Sequence, residues 1–188
     1  WTGEIVDKGV RKGYLAQELT AEELELPVWE LCQRAPAFDG ADPRALDRAA
    51  RQVGLDAALF WDSRPVGTLS GGERVKLRLA LLLLDAPDVL LLDEPSNDLD
   101  LRTLDWLEAF LLSCKVPVLY ISHDEILLER TANAIIHLER LCRRTVPRCT
   151  VARMGYTQYV EQREAGFAHQ EQVAGQERRA YEAKMEKF

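Results

Sequence analysis

Residues 88–93 read Asp-Val-Leu-Leu-Leu-Asp, an unbroken apolar run closed at both ends by a carboxylate. A run this short and this apolar fits a central parallel strand covered on both faces. Parallel neighbours need helical crossovers, so the strand commits the chain to a layered α/β fold. The flanking sequence agrees. A helix is expected through "ERVKLRLALLLL", an amphipathic helix over 101–114, a second buried strand at 117–122, a helix from about 124 to 133 and a strand at 134–139. That βαβαβ series predicts a doubly wound sheet with right-handed crossovers.

Upstream, residues 2–6 and 10–16 read as an antiparallel strand pair around "DKG", ending at Gln17. The region from about residue 19 to 85 reads as a helical subdomain. Thr20 and Glu23 form a capping-box pattern, and Asp42 precedes Pro43 as a cap precedes a first helical turn. Downstream, residues 156–188 are rich in Glu, Gln, Arg, Lys and Ala. Val160, Phe167, Ala174, Tyr181 and Phe188 recur at seven-residue spacing, the pattern of a long helix with one apolar stripe. Gly166 and Gly175 interrupt it. The expected division is residues 1–155 as one domain and 156–188 as the first arm of a helical hairpin.

The chain has 188 residues, 47% of them apolar, enough to build a core. A net charge of −7 argues against a general nucleic-acid coat. One local exception is "ERLCRRTVPRCTVAR", residues 139–153, with five Arg against one Glu. Arg143, Arg144 and Arg148 there fit RNA phosphates or, equally, a solvated hairpin. Cys32, Cys114, Cys142 and Cys149 show no paired metal-ligand spacing, which suits reduced thiols. Asp85, Pro87 and Asp88 cut the most apolar run well short of a membrane span, and no secretory signal is legible. The abrupt opening at Trp1 and the helical pattern at Phe188 read as the middle of a longer protein.

Three stretches carry chemistry. "LSGGE", residues 69–73, sets a Ser hydroxyl and two Gly amides at a helix start, where orphan amides and the helix dipole favour an anion; by itself it is also an ordinary cap. "VLLLDEP", residues 89–95, delivers two carboxylates at the C-terminal end of a strand, where open α/β sheets bind ligands. Asp93 suits Mg²⁺ held through water, and Glu94 suits the orientation or deprotonation of an attacking water. "SHD", residues 122–124, puts His123 at the same edge, in reach of a terminal phosphate.

In order, Gln17 after a strand, a helical subdomain, LSGGE, Asp-Glu after a strand, "SNDLD" and a strand followed by His resemble the ATP-binding cassette ATPases over residues 1–140. The resemblance implies a P-loop NTPase fold of the ABC type. It makes Gln17 the Q-loop residue and a Mg²⁺ contact. Ser70, Gly71, Gly72 and Glu73 become the signature motif, Asp93 and Glu94 Walker B, Asn97 to Asp100 the D-loop, and His123 the switch histidine. ATP and Mg²⁺ are the implied ligands, sandwiched between two cassettes that close head to tail.

Glu73 at the fifth signature position, "DEPSNDLDL" and the charged helical tail look like the ABC-F branch. Those proteins are cytoplasmic tandem cassettes that bind the ribosome and its RNA, and they act in translation or antibiotic protection. The sequence departs from the family in lacking a Walker A loop with its Lys and Ser/Thr, so this chain alone is expected neither to bind ATP tightly nor to hydrolyse it. Upstream truncation is the expected reason. Two rivals stay open: the cassette of a membrane transporter, and a non-hydrolysing interaction module.

Overall fold

The computed structural model describes residues 8–139 and 148–167. Strand β1 spans Lys12–Leu15, followed by helices α1 (Ala21–Glu25), α2 (Val28–Gln33), α3 (Pro43–Gln52) and α4 (Gly71–Leu84). Then come β2 (Val89–Asp93), α5 (Leu101–Ser113), β3 (Val118–Ile121), α6 (Glu125–Thr131), β4 (Ile135–Glu139) and β5 (Arg148–Ala152). A seventh helix, α7, occupies residues 156–167. The expected strand at 2–6, Arg143 and Arg144, and the tail beyond 167 lie outside the described residues. Two compact units result, one through Asp124 and one from Glu125 onward.

The first unit holds a parallel sheet in the order β1-β2-β3. Leu15 lies opposite Leu92, and Asp93 opposite Ile121. The alternation of a strand puts Leu15, Leu90 and Leu92 on one face, and all three are buried. Tyr14, Leu119 and Ile121 stand on the other face at 57%, 48% and 62% exposure. On β2 itself, where a strand covered on both faces is expected, Leu90 and Leu92 are buried and Val89 and Leu91 on the other face are half-buried, while no residue of β3 is buried.

The covered face packs on helices. Leu77, Leu79 and Ala80 of α4 and Leu107 of α5 are fully buried, each leucine contributing roughly 1.5–3 kcal/mol. Between β1 and α4 lies the small helical region that the sequence predicts. Thr20 caps α1 in a reciprocal box with Glu23, its amide donating to Oε2 at 2.7 Å. Asp42 caps α3 with Pro43 in the first turn. The core of this region is Val28, Leu31, Cys32, Phe38, Leu46 and Phe60, with Phe38 and Phe60 edge to face at 5.8 Å. Burial pushes the Cys32 thiol up to about 12, as suits an inert reduced cysteine.

In the second unit β4 pairs antiparallel with β5, Ile135 opposite Ala152 and Glu139 opposite Arg148. The expected third parallel strand is thus half of a separate two-stranded sheet. An apolar run such as "AIIHLE" specifies a strand but not its partner, and β5 supplies the nearer one along the chain. On α7, Arg163 lies 2.8 Å from the His137 ring nitrogens, donates to Glu139 at 3.3 Å and covers the Phe167 ring. No helix among the described residues is long and apolar enough to cross a membrane.

Candidate functional site

The C-terminal edge of the parallel sheet gathers the residues that the sequence singles out. β2 ends at Asp93, and Glu94 follows in a left-handed conformation, φ 47°, its amide donating to the Ile121 carbonyl at 3.0 Å. A glutamate is rarely left-handed, and such strain persists where surrounding structure fixes it. The turn swings the Glu94 side chain inward, where it is 7% exposed. Oε2 accepts the His123 amide at 3.2 Å. Oε1 is buried without a hydrogen-bond partner. The Nε2 of His123 stands 3.3 Å from Oε1, an ion-pair distance for a protonated ring but not hydrogen-bond geometry. The imidazole itself is almost fully open to solvent. A carboxylate oxygen withdrawn from water and left without a hydrogen bond is costly, so the site favours a water or a cation beside it.

Asp93 has a neighbour that sequence reasoning missed. The Tyr14 hydroxyl, on adjacent β1, donates to Asp93 Oδ2 at 3.2 Å. That bond and the carboxylate's charge raise the tyrosine's pKa. The period-two alternation of two parallel strands puts residues 14 and 93 on one face, but only the register reveals the diagonal. Ser96 and Ser122 join hydroxyls at 3.1 Å beneath the same edge.

The signature stretch lies at the start of α4 and is satisfied from within. Ser70 Oγ accepts the Glu73 amide at 3.2 Å, while Glu73 Oε2 accepts the Ser70 amide at 2.8 Å. The Ser70 amide and hydroxyl, both donating to Oε2, hold the Glu73 carboxyl below its usual range. The two glycines have a packing role beyond any phosphate approach. A Cβ on Gly71 would stand 2.5 Å from the Asp98 carbonyl oxygen, and one on Gly72 2.5 Å from Thr103 Oγ1. Asp100 caps α5, accepting the Thr103 amide at 2.8 Å, so its carboxylate is engaged in the fold.

Gln17 follows β1 and borders a cavity of about 410 Å³ with Gly71, Arg74, Arg78, Asn97 and Asp98. The structure thus brings Gln17 to the signature helix, and Glu94 to His123. Arg148 opens β5 in the other unit. Asp93 and Gln17 offer hard oxygens, which suit a Mg²⁺ ion that takes one or two protein ligands and keeps its other places for water and phosphate. No group of three or more His, Cys, Asp or Glu side chains able to hold a metal occurs among the described residues, and this donor set does not require one.

The family described as "ABC transporter" matches residues 4–97. The chain is 36% identical over 139 residues to the energy-dependent translational throttle protein EttA of Mycobacterium tuberculosis, covering 73% of this chain and 25% of that protein. It is 42% identical over 100 residues to the tylosin resistance ATP-binding protein TlrC of Streptomyces fradiae, covering 53% of this chain and 18% of that protein. Among solved structures, RNase-L Inhibitor shares the fold with a TM-score of 0.61 at 22% identity, over 88% of this chain and 32% of its own. The chain therefore spans a quarter or less of these curated relatives. With the motif order, the parallel sheet and the family match in agreement, the chain belongs to the ATP-binding cassette (ABC) family, beside the ABC-F proteins EttA and TlrC.

Proposed function

We propose that this chain supplies the catalytic carboxylate, the Mg²⁺-side residues and the signature motif of an ABC-F ATPase cassette. In the whole protein, ATP closes this cassette on a second one and hydrolysis governs binding to the ribosome in the cytoplasm. The observation that carries the reading is Glu94: a buried carboxylate with one unpartnered oxygen, held by a strained turn at the edge where Asp93 and His123 also end.

Asp93 and Gln17 would hold Mg²⁺, which with ATP supplies charge neutralisation and an electrophilic terminal phosphoryl group. Glu94 takes a hydrogen bond from the attacking water through Oε1 and accepts its proton as the water adds. The His123 amide fixes Oε2 and so aims the other oxygen. The open His123 ring is free to turn to the terminal phosphate. Ser70, Gly71 and Gly72 face the nucleotide of the other cassette, while Glu73 and Asp100 hold the helix starts that present them. The amides of α4 and the dipole of that 14-residue helix make its start an anion-facing surface.

The names of EttA and TlrC, a translational throttle and a tylosin resistance protein, support a ribosomal role. Helix α7 would begin the arm that joins the two cassettes. This chain carries no Gly-rich loop ending in Lys-Ser or Lys-Thr, so by itself it holds nucleotide weakly. The test is Glu94→Gln in the whole protein. ATP turnover is expected to fall about 10²–10⁴-fold with ribosomes retained in the ATP state. Normal turnover and normal release would overturn the reading.

A further inference from the structure

The pairing of β2 with β3 ends at Asp93 and Ile121, and beyond it each strand runs into a turn. One backbone bond follows, the Glu94 amide donating to the Ile121 carbonyl at 3.0 Å. The turn after β2 is strained at both ends. Glu94 and Asp98 are left-handed, φ 47° and 57°, and the Asn97 amide closes the turn on the Glu94 carbonyl at 3.2 Å. Left-handed residues that are not glycine are costly and persist only where their surroundings over-determine them. At one end the Asp98 carbonyl is backed by α4, filling the space that a Gly71 Cβ would need. The middle of the turn is held differently. Half-buried Ser96 joins its hydroxyl to that of Ser122 at 3.1 Å, and the Ser122 oxygen also accepts the Asp124 amide at 3.0 Å. A hydroxyl has one proton and two lone pairs, so the amide leaves Ser122 a proton and a lone pair for Ser96.

Two turn serines could bond merely to satisfy their own hydroxyls. What surrounds the pair gives it a task. Ser122 directly precedes His123, and Ser96 stands two residues after Glu94. The His123 amide donates to Glu94 Oε2 at 3.2 Å, so the serine pair and this bond are two cross-links between the same two turns. Neither belongs to a strand ladder, and a slip of one turn past the other would break both. We propose that the Ser96–Ser122 pair clamps the strained turn 94–98 to the turn 122–124. The two serines are then positioning residues: they hold the His123 amide on Oε2, and so keep Oε1 of Glu94 aimed and His123 beside it. This inference rests on the function proposed above and deepens it, since the base and the histidine are set by each other's turns before any nucleotide arrives.

Ser96→Ala removes the clamp alone, Ser122→Ala removes it together with the acceptor of the Asp124 amide, and Ser96→Thr keeps the hydroxyl. Each is compared with wild type in the whole protein. Without nucleotide, amide hydrogen exchange at Asn97 and His123 should quicken about 3–10-fold in Ser96→Ala, the worth of one neutral hydrogen bond, with residues 90–92 unchanged. Ser122→Ala should add Asp124 to the quickened set. With Mg²⁺·ATP, kcat should fall by a similar factor in Ser96→Ala at unchanged KM, and Ser96→Thr should recover both readouts. In a Glu94→Gln background, Ser96→Ala should slow the residual turnover no further, because the clamp acts through Glu94. Wild-type exchange and wild-type kcat in Ser96→Ala would overturn the inference, as would a raised KM at unchanged kcat. So would quickening that spreads through residues 90–92, or an equal loss of turnover in the Glu94→Gln background; either marks a purely structural bond. If Glu94→Gln itself turns over normally, the proposed function falls and the clamp falls with it. A slow Glu94→Gln beside a wild-type Ser96→Ala removes the clamp alone.

Discussion

At the start of α4 the Glu73 carboxylate takes the Ser70 amide at 2.8 Å and the Ser70 hydroxyl at 2.9 Å. At the end of β2 the Glu94 carboxylate takes one amide and keeps its other oxygen buried with no hydrogen-bond partner. The first glutamate closes a helix end, and its bonding needs are met inside the chain. The second is held in a left-handed turn, with His123 Nε2 3.3 Å from its unbonded oxygen but out of hydrogen-bond geometry. Two acidic motifs of the same family site thus divide their work. One carboxylate is bonded at its helix cap, and the other keeps a buried oxygen unbonded.

The largest way to break this contrast is Glu94→Gln. Catalysis should fall by the 10²–10⁴-fold already given, yet the thermal midpoint should hold or rise, because a buried carboxylate with one unbonded oxygen is replaced by a neutral amide. A clear loss of stability would place Glu94 among structural residues instead. The opposite pattern is expected at the glycines. Gly72→Ala drives a Cβ against Thr103 and should cost about 1–3 kcal/mol in urea unfolding. Adding Thr103→Ala should recover part of that. Gly71→Ala should find no such relief, since its obstacle is the Asp98 backbone carbonyl.

Ser70→Ala sharpens the comparison at smaller cost, about 1 kcal/mol for a lost helix cap. Weakest of all is an acid effect. Glu73 and Glu23 are held below their ordinary carboxyl range chiefly by backbone hydrogen bonds at their caps, and Asp100 by its bonds from Thr103. A depressed folded value means stability that is fully present above the unfolded value and lost as pH falls through the folded one. Acid titration of unfolding should therefore show a loss as pH falls below the ordinary 4.5 of a glutamate, reduced only in part in Ser70→Ala, which removes the hydroxyl but keeps the Ser70 amide. An unchanged acid limb in that variant would mean that the cap contributes little.

Much of this was legible in the letters. The apolar run at 88–93, the caps at Thr20, Asp42 and Ser70, and the placing of Glu94 beside His123 all follow from local pattern. What escaped depends on residues far apart in sequence. Tyr14 meets Asp93 across 79 positions and Arg78 meets Ala16 across 62, contacts set by register and helix placement, which no local period encodes. The partner of β4 escaped for a related reason, since an apolar strand does not state which neighbour it will pair with. The role of Gly71 and Gly72 was half legible: their smallness was visible, but the close approach that requires it came from Asp98 and Thr103.

Among the described residues one face of the sheet is open, and that has a practical consequence for handling this chain. Tyr14, Leu119 and Ile121 form an oily plate beside the carboxylates, and such a plate seeks a second surface. Preparations of the bare chain will be governed by colloidal behaviour as much as by folding: turbid at high concentration, worse in sulfate, clearer in mild urea.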